Sequence, residues 1–450
     1  MESKYQKHAS DAVQKALQLG AGMAEAYISN SKELNIEVRN GAVETMKLAE
    51  DRGMGIRIMA DGKTGFAFTT DLEDTAVEEA VRQALANASC AEPDPHRVLP
   101  KPAPGYPEMD LYDPAIRAAA VENKIEMART MENEARAFDN RIKIIESSTY
   151  QDGEAEVTLV NSHGLSLHYG GAYCGMYISL VAGEGEDSQT GFALKYSLRF
   201  NDLDPAQLGK QAAGRAVRML GAKPGATQQA AVVLEPYVAT GFLGLLAPAL
   251  SAEAVQKGRS LFAGKVGRQV ASEQVNIIDD GTLKNGISSS PFDGEGVPTS
   301  RTVLIHGGKL QGFLHNTYTA AKDGVLSTGN GVRGSFKGTP EVGTTNFFIE
   351  PGDKTAEQII GEVESGFYVT EVMGLHTANP ISGDFSLGAG GLWIENGQIT
   401  RPVRGMAIAG NITELLRNVD AVGNDLQFFG GKGAPTIRIS RMSISGGGQA

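Results

Sequence analysis

The chain has 450 residues, 41% of them hydrophobic, enough for two or three domains that each bury a core. Its 41 basic and 53 acidic side chains leave a formal charge of -12, and no run of Lys and Arg forms a basic patch, which argues against a nucleic-acid partner. The opening MESKYQKHASDAVQKALQLG lacks a signal-length apolar core, and the most apolar window, Val238 to Leu250, is short and broken by Gly241, Gly244 and Pro248. A cytoplasmic protein without a membrane segment is expected. Cys90 and Cys174 lie far apart, against a disulfide framework or a thiolate-rich zinc site, and both are expected as buried free thiols.

In chain order, DAVQKALQL predicts a helix, AEAYISNS and ELNIEVRNGAVETMKL strands, GMGIRIMADGKTGFAFTT a hairpin, and DLEDTAVEEAVRQALANA a second helix. Residues 93–113 hold six prolines and read as an extended linker. The order then recurs: a helix in DPAIRAAAVENKIEMARTMENEA, strands around EAEVTLVNSHGLSLHYGG and CGMYISLVAGEGEDSQTGFALKYSLRF, and a closing helix in DPAQLGKQAAGRAVRML. Thr64-Gly65-Phe66-Ala67-Phe68 echoes Thr190-Gly191-Phe192-Ala193-Leu194 at the same place in each unit. Either two α+β segments share a chance match or the unit is duplicated, and the common order favours duplication.

After Gly221 most of the chain's 56 glycines appear and turn signals dominate. Ile305-His306-Gly307-Gly308-Lys309-Leu310 and Ile394-Glu395-Asn396-Gly397-Gln398-Ile399 predict tight hairpins, and Asp279-Asp280-Gly281 a similar turn. VVLEPYVATGFLG predicts a strand leading into a helix start, and TAEQIIGEVESG and AIAGNITELLRNVD look helical. The expected fold class is α+β, a duplicated helix/four-strand/helix unit followed by a β-rich C-terminal domain. Its boundaries are 1–92, the linker 93–113, 114–222 and 223–450.

Common chemistries find little support. Gly329-Asn330-Gly331-Val332-Arg333-Gly334 satisfies GxGxxG, but SFKGTPEVGTTNF offers no helix after it, so a glycine-rich loop is expected. Gly62-Lys63-Thr64 resembles the tail of a phosphate loop, yet Arg57 stands where the first glycine belongs, which leaves a hairpin turn. The seven histidines are scattered without metal-ligand spacing, and no GxSxG elbow occurs. His315 in LHNTYTA and His376 in GLHTANPISGDF lie in polar stretches that could line a groove, beside the plainer reading of structural histidines.

The succession LEPYVATGFLG, KGRSLFAGKVGRQVAS, IIDDGTL, FDGEGVPTSRTVLIHGGKLQGFLHNTYTA, STGNG, SGDFSLGAGGLWIENGQITRPV, IAGN and VGND resembles the TldD/PmbA family, also called modulator of DNA gyrase. The resemblance covers nearly the whole chain and is strongest after residue 232. It implies a heterodimeric cytoplasmic metallopeptidase of two related subunits that cleaves unstructured peptides. The TldD-type subunit carries a helical HExxxH motif and a zinc-binding cysteine near its C-terminus, whereas the PmbA-type, or TldE, subunit lacks the metal site. Laid on this chain, the motif falls on Glu235, Pro236 and Thr240, none of which keeps its chemistry, and GNDLQFFGGKGAPTIRIS runs past the place of the cysteine block. Pro236 and Glu235 suit a helix start for structural reasons.

The resemblance therefore implies a PmbA/TldE-type subunit without a metal of its own, paired with a zinc-bearing TldD-type partner and holding extended peptide against a sheet edge. Candidate substrate contacts are His315, Asn316, His376, Ser382, Asp384 and Ser386, with a turn and core strand as the plainer reading of Ser382–Gly388. Two rival readings remain open. One is a self-standing peptidase using Glu235 with His315 or His376, or a Ser/Thr nucleophile, and the other is a peptide-binding homodimer.

Overall fold

The computed structural model describes residues 4–446. The break expected between AEAYISNS and ELNIEVR does not occur, because the polar residues there are paired on both sides. Ser31 faces Asp51 and Ala155, and Lys32 faces Glu50 and Glu154. The first unit is thus a helix (α1, Lys4–Gln18), three strands (β1, Met23–Arg39; β2, Ala42–Ala60; β3, Lys63–Thr69) and a helix (α2, Asp74–Ser89), with three strands where four are expected. Residues 93–113 contain neither helix nor strand. After a short α3 (Pro114–Ala118) the order recurs in α4 (Val121–Phe138), β4 (Ile142–Asn161), β5 (Ser166–Ala182), β6 (Gln189–Ser197) and α5 (Pro205–Val217).

All six strands join in one antiparallel sheet, ordered β3-β2-β1-β4-β5-β6, symmetrical about the β1–β4 pairing. α1 buries Ala9, Ala12, Val13 and Ala16, a stripe at helical spacing against that sheet, and α2, α4 and α5 bury similar stripes. Small residues let these helices approach closely. A Cβ on Gly65 would stand 1.9 Å from the Ala84 carbonyl of α2, and one on Gly191 2.2 Å from the Ala212 carbonyl of α5. The Thr-Gly-Phe-Ala echo therefore has one physical cause in both units, which is what a duplicated unit requires. Cys174 is buried as expected, but Cys90, at the exposed end of α2, is accessible.

The C-terminal part continues with β7 (Gln228–Leu234), α6 (Pro236–Leu246), α7 (Ala252–Gln256), β8 (Ile277–Asp280), β9 (Arg301–His306), β10 (Lys309–Leu310) and α8 (Thr317–Asp323). Then come β11 (Gly331–Val332), β12 (Glu341–Val342), β13 (Phe347–Ile349), α9 (Ala356–Gly361), β14 (Ser365–Met373), β15 (Asp384–Glu395) and β16 (Gln398–Asn411). It ends with α10 (Ile412–Arg417), β17 (Val419–Val422), β18 (Gln427–Phe429), β19 (Lys432–Ala434) and β20 (Ile437–Gly446). The order β16-β15-β14-β7-β20, with β16 pairing back onto β20, closes a barrel, and β10-β9-β8-β13-β19-β18 form a second sheet. α6 lies between them, its Val238, Ala239, Phe242 and Leu246 sharing a core with Phe385 of the barrel and Phe347 of the second sheet.

The Gly307-Gly308 and Asn396-Gly397 hairpins form, all four residues at positive φ. Asp279-Asp280-Gly281 is not a hairpin: β8 ends there, and the Asp280 carboxylate closes a turn by accepting from Thr282 N at 2.8 Å. The GxGxxG stretch is a loop around β11 with no helix after it.

The sheet face opposite the helices carries Tyr27, Val157 and Leu159, which pack on Phe292 and Phe336 of the C-terminal part. Beside them lies a buried charge network. Arg57 donates to Glu25 at 2.9 Å and to Glu295 at 3.2 Å, and Arg333, in the glycine-rich loop, donates to the other Glu25 oxygen. Burial opposes the charge on Glu25, yet Arg333 and Arg57 together hold its carboxyl below the ordinary range. Two sequence features that mimic phosphate-binding motifs thus meet in a joint between the N-terminal sheet and the C-terminal part.

Candidate functional site

β7 runs up the barrel wall beside β14, and Glu235 N donates to Val369 O at 3.0 Å as the chain leaves it. Pro236 then starts α6, where its fixed φ fits and its missing N–H costs nothing. The Glu235 side chain does not cap its own helix. It accepts from Arg218 Nη2 at 3.0 and 3.1 Å, with Arg215 Nη2 at 3.9 Å. Arg215 lies in the last turn of α5 and Arg218 is its C-cap, so both complement that helix's dipole while Glu235 sits at the N-terminus of the next. Two residues on, the Tyr237 ring packs edge-on between Phe192 of β6 at 4.7 Å and Phe429 of β18 at 5.1 Å. Thr240 donates its hydroxyl to the Pro236 carbonyl at 2.8 Å, within the helix.

A zinc ion at these three positions needs imidazole, thiolate or free carboxylate donors facing one point. The residues present do not fit it: one carboxylate is turned to an arginine, the proline has no donor atom, and the hydroxyl is spent on backbone. Among the described residues no group of three or more His, Cys, Asp or Glu is placed to hold a metal ion. Where the resemblance calls for a cysteine block, Asp425 accepts from Thr436 N and Oγ1 at 2.9 and 2.7 Å and closes the β18–β19 hairpin.

The six candidate contacts fall into two groups. Asn316 caps α8 by accepting from Thr319 N at 2.9 Å, and next to it Thr317 donates to Glu295 at 2.8 and 2.6 Å, so His315 and Asn316 adjoin the buried charge network. Both are buried, which corrects the expectation of a polar groove there, and burial pushes the His315 imidazole below its ordinary value. His376, Ser382, Asp384 and Ser386 are exposed on the turn before β15 and at its start. Asp384 accepts from Asn411 and Ser382, both at 2.8 Å, and these bonds hold its carboxyl below the usual range. This turn approaches α6, where a Cβ on Gly241 would lie 3.0 Å from Leu375. β15 is flanked by both β14 and β16 only from Gly388 onward, and Asp384–Leu387, which holds two of the candidate contacts, pairs with β16 alone.

Two further strand edges face each other beside α6. β6 is the last strand of the N-terminal sheet and β18 the last of the second sheet. They flank a cavity of about 710 Å³ lined by Tyr196, Asp202, Gln211 and Arg215 on one side and by Asn285 and Phe428 on the other. Tyr237 bridges the two edges at the start of α6. The cleft therefore opens beside the motif positions. It was not visible in the sequence because β6 and β18 are remote in the chain.

Three family models match in succession: the PmbA/TldA metallopeptidase domain 1 over residues 24–88, the central domain over 114–220 and the C-terminal domain over 227–446. The metalloprotease PmbA of Escherichia coli O157:H7 is 31% identical over 443 residues, covering 97% of this chain and 96% of that protein. The chain belongs to the PmbA/TldD family. Among solved structures of the family, a protein described as a modulator of DNA gyrase from Thermotoga maritima superposes with a TM-score of 0.91 at 30% identity, over 98% of this chain and 100% of the other. TldE from Thermococcus kodakarensis gives 0.90 at 26% identity, over the same shares. No helix among the described residues is long and apolar enough to cross a membrane.

Proposed function

We propose that this chain is a non-catalytic PmbA/TldE-type subunit. It pairs with a TldD-type metallopeptidase and helps hold unstructured peptide for cleavage by the partner's zinc. The observation that carries this reading is the use of the motif positions: Glu235 is committed to Arg218, and Thr240 to its own helix. A general base for hydrolysis must take a proton from a metal-bound water, and a carboxylate held by a guanidinium beside a proline is not placed to do so.

Peptide binding is supported by the cleft between β6 and β18. A strand edge offers N–H and C=O groups at a fixed repeat to any extended chain, largely independent of its side chains, as degradation of unstructured peptide requires. Tyr237 and Arg215 sit in or beside this cleft and would contact the peptide's side chains.

Elemental analysis of the purified chain tests the proposal. Zinc well below one per chain is expected, and about one zinc per chain, removable by chelator, would overturn it.

A further inference from the structure

β2 is longer than the strand that covers it. β3 pairs only with Met54–Ala60, so Ala42–Gly53 is bonded to β1 on one side and to no strand on the other among the described residues. The pseudosymmetric stretch of β5, Ser166–Tyr173, also runs beyond its outer partner β6, but there the linker closes the edge: Ala172 N donates to Leu111 O at 2.9 Å. Among the described residues no such segment bonds to Ala42–Glu50 of the first unit, all of which is exposed, with Met46 and Leu48 58% and 74% accessible. An edge this long with apolar side chains is a template for another strand.

Two features bound the usable stretch. A bulge at Glu44 interrupts the register, since Glu37 faces Thr45 while Val38 faces Val43, and β3 begins opposite Met54. Gly53 is buried against Phe336, so the free segment is 45–52, with Leu48 and Ala49 at its middle.

We propose that a second copy of this chain docks on this edge, its β2 antiparallel to the first, about a twofold axis through Ala49. An isologous strand pair needs the axis on a residue, so that each residue faces its mirror position. With the axis on Ala49, Lys47 faces Asp51 of the second copy, twice over, and Met46 faces Arg52. Leu48 faces Glu50 and lies diagonal to the other Leu48. Asp51 is already fixed on the edge by Lys337 at 2.9 Å. Moving the axis to Leu48 loses the Lys47–Asp51 pairs and leaves only Arg52 opposite Glu44 at the bulge, to Lys47 it sets lysine on lysine, and to Glu50 glutamate on glutamate. Within the segment free of the bulge at Glu44, the Ala49 register alone among these pairs opposite charges with no like charges face to face, and it joins the two six-stranded sheets into one. This inference does not depend on the TldD-type partner.

The test is sedimentation of the purified full chain at tens of micromolar, with three variants at exposed positions. The wild type should sediment as a dimer. Lys47→Asp, which sets aspartate against Asp51, should shift it to monomer, and Lys47→Asp with Asp51→Lys should restore the dimer. Ala49→Cys should form an intermolecular disulfide on mild oxidation, because residues on the axis of an antiparallel pair stand about 4.5–5.5 Å apart at Cα. A monomeric wild type, a dimer indifferent to Lys47→Asp, or a dimer without the Ala49→Cys cross-link overturns the proposal. Dimers that appear only with an added TldD-type relative would overturn the choice of a second copy.

Discussion

Arg218 Nη2 lies 3.0 Å from Glu235 Oε2, so the residue at the first motif position pins the end of α5 to the start of α6. The contact joins the second N-terminal unit to the C-terminal part at the head of the candidate cleft. Glu235→Ala leaves Arg218 and the more buried Arg215 without their shared carboxylate. It should destabilise the protein by about 2 kcal/mol, the usual scale for hydrogen bonds to charged groups, read as a lower urea midpoint. An unchanged midpoint would show that the pair is incidental.

Rebuilding the motif should fail. Glu235→His, Pro236→Glu and Thr240→His return two imidazoles and a carboxylate, but positions five apart lie roughly 140° apart around an ideal helix and need a further ligand to converge. The β18–β19 hairpin supplies none, and Arg218 and Arg215 repel a cation at position 235. A folded triple variant without chelator-sensitive peptide cleavage is expected. Cleavage lost on adding chelator would reveal a hidden ligand, with His376 the first to test.

Gly65→Ala and Gly191→Ala should each destabilise the chain by roughly 1–3 kcal/mol through overpacking, since the added methyl meets helix backbone that no rotamer change can move. The duplicated unit predicts similar losses at both sites in denaturant titrations. A neutral effect at one would show that its helix can lift off the sheet.

The duplicated unit was legible because its signals are local: the Ala9–Ala16 stripe, the positive-φ turns, and a glycine echo with a steric cause in each copy. The start of α6 was legible for the same reason, as Glu235-Pro236 follows an apolar strand. Strand number was misjudged because Ser31 and Lys32 look like a break until both neighbouring strands are in place. The placing of His315 and Asn316 failed for a related reason. Their stretch is polar because it caps α8 beside Glu295, and only the tertiary structure brings Glu25 and Arg57 of the first unit to that point.

Asp293 gives the joint a pH dependence. Burial first and Glu295 second push its carboxyl up to about 7, so the folded state keeps a proton that the unfolded state releases near the ordinary carboxylate value. The folded state binds more protons across that window, so the contribution of Asp293 to stability is full below it and is lost as pH rises towards about 7. In urea titrations at about pH 5 and about pH 8, the stability of the wild type relative to Asp293→Asn should be greater at the lower pH. A difference that does not change with pH would remove Asp293 from the account.

The central claim is that this chain serves a partner's chemistry, and cleavage of an unstructured peptide by the chain alone, by a TldD-type relative alone and by the two together tests it most directly. Cleavage should be absent with this chain alone and should appear or rise sharply in the mixture. It should be abolished by chelator or by changing the glutamate of the partner's HExxxH motif. Cleavage by this chain alone, insensitive to chelator, would contradict the account.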